Sequence, residues 1–241
     1  MNDMPFNNKY LFNFVDEFHS LVIPSLRSSG CYGIKCHEEL NNVYMAVKAL
    51  TPRDDLDFRV YMHEGGRNCA HHALLLGRSL CTYVGKDNRG APVWPIGWRG
   101  SISHTATAAV AVVCRVDACS AIGIDIEQWM DCEMARDVMS EICDPSEMLI
   151  LGGASASNTT RLFSAKEAIY KALFPYAGRF MEFSAARLTG AFGGCLEFQL
   201  ADEWSEEWRK GDAVSVLIAD TPSHVLSLAL PSRHRVNILY S

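Results

Sequence analysis

Ala121-Ile122-Gly123-Ile124-Asp125-Ile126-Glu127 alternates apolar and polar residues across its length. Side chains two apart on a strand share a face. The stretch therefore predicts a strand with Ile122, Ile124 and Ile126 in a core and with Asp125 and Glu127 projecting together. Two carboxylates on one face repel each other. Either this is an exposed edge strand with two solvated acids, or a hard divalent cation sits between them. Mg²⁺ prefers one or two carboxylates together with phosphate oxygens.

Some forty residues on stands Phe163-Ser164-Ala165-Lys166-Glu167-Ala168-Ile169-Tyr170-Lys171-Ala172-Leu173. Ala165, Ala168, Ile169, Ala172 and Leu173 make a full core stripe, so a helix from Ser164 to Phe174, closed by Pro175, is predicted. Ser164 and Glu167 fit a capping box, and Glu167 with Lys171 fits an i, i+4 ion pair. That accounts for the helix without any chemistry. The functional alternative makes Glu167 a third metal carboxylate, and Lys166 and Lys171 partners for phosphate charge.

Outward from these two segments, Ala108 to Val116 reads as a buried strand, preceded by Gly100-Ser101-Ile102-Ser103-His104. A helical pattern starts at Gly66, with Cys69, Ala70, Ala73, Leu76 and Leu80 recurring at three and four residues. Turn residues crowd Gly85 to Gly100. Residues 132–151 read as helical and 152–160 as a small, polar loop, with strands at 194–200, 213–219 and 224–230. Residues 1–60 read as short mixed segments broken by Pro24, Gly30, Gly33 and Pro52. The class is α/β or α+β. Ser103-His104 and Ser223-His224 each precede a strand, an echo compatible with two related halves.

The chain has 241 residues, 49% hydrophobic and 21% charged, a globular balance. Its net charge of −6 argues against nucleic acid as the main partner, since phosphate backbones demand a basic face, and leaves room for a local basic pocket for a small anion. No apolar run approaches the length of a membrane span. Met1 to Val15 lacks the compact apolar stretch of a leader, so a cytoplasmic protein is expected. The nine cysteines contain no C-x-x-C, and Cys31/Cys36 and Cys114/Cys119 match no common zinc spacing. Reduced core thiols are the expectation. Arg59, Arg67, Lys86 and Arg89 scatter basic groups along an acidic chain.

Four blocks taken in order carry a family likeness. They are Gly66-Arg67-Asn68-Cys69-Ala70, then Gly90-Ala91-Pro92-Val93-Trp94-Pro95 running into Gly100–His104, then Gly123–Glu127, and finally Phe163–Ala172. Across residues 59–183 the chain resembles the large, Sfp-like class of 4′-phosphopantetheinyl transferases, and within it the enterobactin synthetase component D subgroup. The resemblance implies a fold of two similar halves about a pseudo-twofold axis, residues 1–119 and 120–241, with the active site in the cleft between them. It implies transfer of the phosphopantetheine arm of coenzyme A to a serine of an apo acyl or peptidyl carrier protein, releasing adenosine 3′,5′-bisphosphate. Asp125, Glu127 and Glu167 look like the carboxylates for Mg²⁺, or for Mn²⁺ in its place. Glu167, Lys171 and Asp125 look like the catalytic groups, with Glu167 the serine-proton acceptor and Lys171 beside the pyrophosphate.

The same resemblance places Arg59, Arg67, Lys86, Ser103 and His104 around the coenzyme's phosphates, with Arg89 as their neighbour and Lys166 as companion to Lys171. Phe180 falls in the pantetheine channel. A monomer is expected. Two readings of other classes accompany this one: a Mg²⁺-dependent phosphohydrolase using the same acids on water, and a non-catalytic coenzyme A or carrier-binding module.

Overall fold

The computed structural model describes residues 31–35, 43–51 and 58–231. The punctuation at Pro24, Gly30 and Pro52, the reading of Met1 to Val15 and Cys36 of the Cys31/Cys36 spacing lie outside the described residues.

The chain runs through β1 (Cys31–Lys35), β2 (Val43–Ala49), α1 (Phe58–Leu76), β3 (Gly85–Lys86), β4 (Pro92–Val93), β5 (Trp98–His104) and β6 (Ala108–Arg115). It continues through β7 (Gly123–Gln128), α2 (Cys132–Ile142), α3 (Pro145–Ile150), α4 (Ala156–Ala177), a 3-10 turn (Phe183–Ala185), β8 (Ala186–Phe192), β9 (Cys195–Leu200), β10 (Ala213–Asp220) and β11 (His224–Pro231). One sheet has the order β1-β2-β6-β5 and the other β7-β11-β10-β9-β8, with β3 and β4 a separate ribbon. Every described pairing is antiparallel, which resolves the class as α+β. No helix among the described residues is long and apolar enough to cross a membrane.

The layers are helix, sheet, sheet, helix. α1 covers the first sheet through Cys69, Ala70, Ala73 and Leu74 against Ala109, Ala111 and Val113. α4 covers the second through Ala165, Ile169 and Leu173 against Val216, Ile218 and Val225. The two uncovered faces meet, Val110, Val112 and Cys114 packing with Ile124, Ile126 and Leu228. β6 is thus buried on both faces, which is why its sequence is a continuous apolar run and does not alternate.

Several sequence expectations shift. α1 buries Leu74, whereas Leu76 and Leu80 are exposed, because the helix ends at Leu76. α4 begins two turns before Ser164: Ser155 is its N-cap, accepting from the Asn158 amide at 3.1 Å. Thr159 and Thr160 donate back to the carbonyls of Ser155 and Ala156, at 3.0 and 2.7 Å. Ser164 is therefore a buried mid-helix residue and no capping box involves Glu167. Pro175 lies inside the last turn of the helix, which runs on to Ala177, so it does not close it. Gly178 then caps it at φ 62°.

Cys114 and Cys119 form a disulfide, correcting the expectation of reduced thiols for this pair; the turn after β6 folds Cys119 back on the strand's end. Ser103-His104 ends β5, whereas Ser223-His224 opens β11. The two dipeptides thus occupy different positions in their hairpins.

Candidate active site

At Gly123 an added Cβ would overlap the Ala168 carbonyl and the Ala172 amide of α4. Only glycine lets the helix lie this close to β7, and that approach brings Lys171 down onto the strand two residues on. Asp125 is 1% exposed. Its Oδ1 accepts from the Lys171 ammonium at 2.5 Å and from the Ser103 hydroxyl at 2.8 Å, while Lys171 also donates to Ser103 Oγ at 2.9 Å. Ser103 is on β5, the edge of the first sheet, and Asp125 is on β7, the edge of the second. The cluster therefore sits where the two sheet edges meet under α4. The solvated-edge alternative for Asp125 does not hold.

Asp125 Oδ2 is buried and has no partner among the described residues. Glu127 is half-buried on the same face, its carboxyl pushed up to about 8 by burial first and the Asp125 charge next, with Glu167 adding and Lys171 opposing. Burial likewise raises Glu167, against the pull of Lys171 and with the push of Asp125. The three acids thus sense one another across β7 and α4. Among the described residues no group of three or more His, Cys, Asp or Glu stands close enough to hold a metal ion as arranged here. The Glu167–Lys171 pair expected of a solvated helix is replaced by the Lys171–Asp125 bridge.

His104 follows Ser103 on β5, half-buried. Burial holds its imidazole below the ordinary histidine range, and His63 and Lys171 add to the effect. The His63 ring, on α1, meets it edge-to-face with centroids 5.1 Å apart. Arg67 lies one turn along α1, its Nη1 donating to the Val84 carbonyl at 2.7 Å and to that of Gly85. Arg59 is exposed near the start of the same helix, and Lys86 is exposed on β3. Sequence reading missed His63, although its spacing of four from both Arg59 and Arg67 places all three on one helical face.

Two expected coenzyme ligands are placed elsewhere. Lys166 was expected beside Lys171; instead it is 3% exposed and its ammonium bonds the Ile142 carbonyl at 2.9 Å and Glu147 at 2.9 and 3.0 Å. Five positions before Lys171, it points around the helix toward α2 and α3. Arg89 pairs with Asp87 at 3.6 Å, stacks over Phe174 at 5.3 Å and donates to the Gly178 carbonyl at 3.3 Å. It ties the β3–β4 ribbon to the end of α4. Phe180 is 68% exposed and packs on Tyr170 at 6.0 Å. It lines a cavity of about 200 Å³ together with Glu167, Tyr170, Met181 and Trp204. A separate cleft of about 480 Å³ on the other flank of α4 is lined by Trp94, Ser101, Tyr170, Lys171 and Tyr176.

The family model described as the 4′-phosphopantetheinyl transferase superfamily matches residues 121–228, and the 4′-phosphopantetheinyl transferase N-terminal domain matches residues 62–114. Enterobactin synthase component D of Salmonella typhimurium is 41% identical over 113 residues, 46% of this chain and 46% of that protein. The 4′-phosphopantetheinyl transferases Npt of Nocardia iowensis and PptT of Mycobacterium tuberculosis are 36% and 38% identical over 127 residues, or 52% and 51% of this chain and 56% and 55% of theirs. The chain spans about half the length of the curated relatives it matches. With one match on the first sheet and its helix and the other on the second, and with the acid and lysine cluster at their junction, the chain belongs to the 4′-phosphopantetheinyl transferase superfamily.

Proposed function

We propose that the chain transfers the 4′-phosphopantetheine arm of coenzyme A to a serine hydroxyl of an apo carrier protein. The observation that carries this reading is the Lys171–Asp125–Ser103 cluster at the seam of the two sheets, flanked by Glu127 and Glu167 and facing the His104 end of β5. Residues 1–119 would form the half that holds the coenzyme's phosphates and 120–241 the half that holds the acids.

The acid set suits a divalent cation. A buried carboxylate oxygen without a partner among the described residues, beside two carboxyls that burial pushes upward, is a site short of positive charge. Asp125, Glu127 and Glu167 would hold Mg²⁺, which when bound neutralises charge on the coenzyme's pyrophosphate. Phosphoryl-type transfer otherwise asks for positioning and electrostatics, and the chain's own groups supply these. Lys171 carries a cation to the adenosine 3′,5′-bisphosphate as the bond between the two phosphates breaks. Glu167, whose burial raises its carboxyl and so its basicity, accepts the carrier serine's proton directly or through water as that oxygen attacks the phosphopantetheine phosphorus. Ser103 fixes Asp125, and His104, Arg67, Arg59 and Lys86 meet the phosphates. The Phe180–Tyr170 cavity receives the pantetheine arm.

The test is incubation with coenzyme A, Mg²⁺ and an apo carrier domain, weighing the carrier. A gain of one phosphopantetheine supports transfer. Phosphate release without any acceptor would mark a phosphohydrolase, and coenzyme binding with no reaction a binding module.

A further inference from the structure

We propose that Ser227 is a positioning residue for the reaction: with Ser164 it holds the buried Oδ2 of Asp125 through one enclosed water, and so orients this carboxylate toward the cation. This rests on the functional reading above. Ser227 stands directly opposite Asp125 in the antiparallel pairing of β7 with β11. Opposed residues point to the same side of a sheet, their Cβ atoms about 4.5–5.5 Å apart. That side lies under α4, where Val225 and Ala229, the next residues of β11 on the same face, join the apolar core of the helix. Ser227 is fully buried among them, and its hydroxyl has no partner among the described residues. The same is true of Asp125 Oδ2.

A third such atom comes from α4. Ser164 is fully buried and its Oγ is likewise unpartnered among the described residues. One turn before it, Thr160 Oγ1 accepts the Met130 amide at 3.2 Å, just past the end of β7. One turn after it, the Ala168 backbone lies against Gly123. Ser164 stands between them on one line of the helix and so faces the middle of β7, where Asp125 is. Among the described residues five buried side-chain polar atoms lack a partner, and three of them thus face one interface. An enclosed water with two to four polar partners is the usual way such groups are satisfied. Its use to the site follows from the other oxygen. Lys171 and Ser103 both donate to Oδ1, which fixes that atom but leaves the carboxyl plane able to turn about it. A donor on Oδ2 sets the plane, and the oxygen keeps a second lone pair for a cation. Carboxylates that ligate a metal are held by such outer hydrogen bonds, whose loss weakens the metal by about 10–100-fold.

The experiment titrates Mn²⁺ into the full chain, Ser227→Ala and Ser164→Ala in the presence of coenzyme A, reading bound Mn²⁺ by electron paramagnetic resonance. The same three proteins are melted, and titrated with coenzyme A by calorimetry, in excess chelator. Ser227→Ala is expected to bind Mn²⁺ about tenfold more weakly and to melt lower without metal, because Asp125 Oδ2 loses a donor, while its coenzyme A affinity in chelator is unchanged. Ser164→Ala should shift Mn²⁺ affinity in the same direction. A hydroxyl that is merely stranded gives the opposite sign: alanine removes an unsatisfied polar group, so Ser227→Ala would melt at or above wild type and bind Mn²⁺ as wild type does. That result overturns the assignment, as does an equal loss of Mn²⁺ and coenzyme A. A wild type that takes up no Mn²⁺ overturns the cation reading of the three acids and this proposal with it, a result separate from failure of Ser227 alone.

Discussion

Lys166→Met tests where the structure departs most from expectation. The Lys166 and Glu147 side chains are 2% and 3% exposed. The ammonium lies 2.9 and 3.0 Å from the two Glu147 oxygens, and 2.9 Å from the Ile142 carbonyl. Glu147 also accepts the Asp144 amide at 2.9 Å and the Leu188 amide at 2.7 Å. One ion pair therefore joins the end of α2, the start of α3, β8 and α4. Methionine keeps the stem but leaves a buried carboxylate with two amides and no cation. Removing one member of such a pair costs about 3–5 kcal/mol. At roughly 2–4 °C per kcal/mol for a chain of this size, the melting temperature should fall by about 6–20 °C. Adding Glu147→Gln removes the stranded charge but keeps one acceptor oxygen for the two amides, so the double variant should regain part of the loss. Both variants, assayed well below their transitions, should bind coenzyme A within about threefold of wild type, because the ammonium is committed to Glu147 and the Ile142 carbonyl and Lys166 borders the Phe180 cavity with its stem kept in methionine. Thermal melts and calorimetric titration read the two effects separately. A Lys166→Met protein that melts with wild type yet binds coenzyme A tenfold more weakly would refute this placement.

Other outcomes follow from the same geometry. Arg67→Ala and His104→Ala should each weaken coenzyme A by about tenfold or more in calorimetry, since charge-assisted bonds to phosphate are worth roughly 1.5–3 kcal/mol. Glu167→Gln should melt within a few degrees of wild type and modify a carrier at least a hundredfold more slowly, a penalty of about 2.7 kcal/mol; near-normal turnover would return Glu167 to a packing role. Lys171→Met should slow transfer equally but also destabilise the metal-free protein, because Asp125 is 1% exposed and, among the described residues, would keep only Ser103 as partner. In chelator, stability should depend on pH through Glu127, whose carboxyl ionises near 4.5 when unfolded and at about 8 when folded. Raised by folding, it contributes stability fully present below pH 4.5 and lost as pH rises through 8, and melts of Glu127→Gln across that window should be flatter than wild type.

The core of the fold was legible where burial follows periodicity. α4 shows its stripe because one face lies on a core, and β7 shows its alternation because its isoleucines enter the core between the sheets while Asp125 and Glu127 turn toward α4. Periodicity failed where polar residues are buried by a partner distant in sequence. Ser101 and Ser103 are buried on β5 because they face the Ile124 carbonyl and Asp125, so polarity there marks the seam and not solvent. Lys166 looked like Lys171 on a helical wheel; only α3, folded against α4, shows that Glu147 claims it. The first turns of α4 read as loop because Ser155, Thr159 and Thr160 are poor helix formers, rescued here by a cap and by back-bonding to the helix carbonyls. His63 carries no motif of its own, and its neighbour His104 becomes visible only when α1 docks on β5. Asp125, Glu127, Glu167 and Lys171 each lie off the apolar face of their element, where periodicity assigns them.

The most direct test of the central claim is the intact mass of an apo carrier domain incubated with this chain, coenzyme A and Mg²⁺, with a parallel arm in excess chelator. The account predicts a gain of one phosphopantetheine on one serine, matched by one adenosine 3′,5′-bisphosphate, in the Mg²⁺ arm alone. An unmodified carrier in a reaction where coenzyme A is demonstrably bound would contradict it, and full modification in chelator would contradict the role given to Asp125, Glu127 and Glu167.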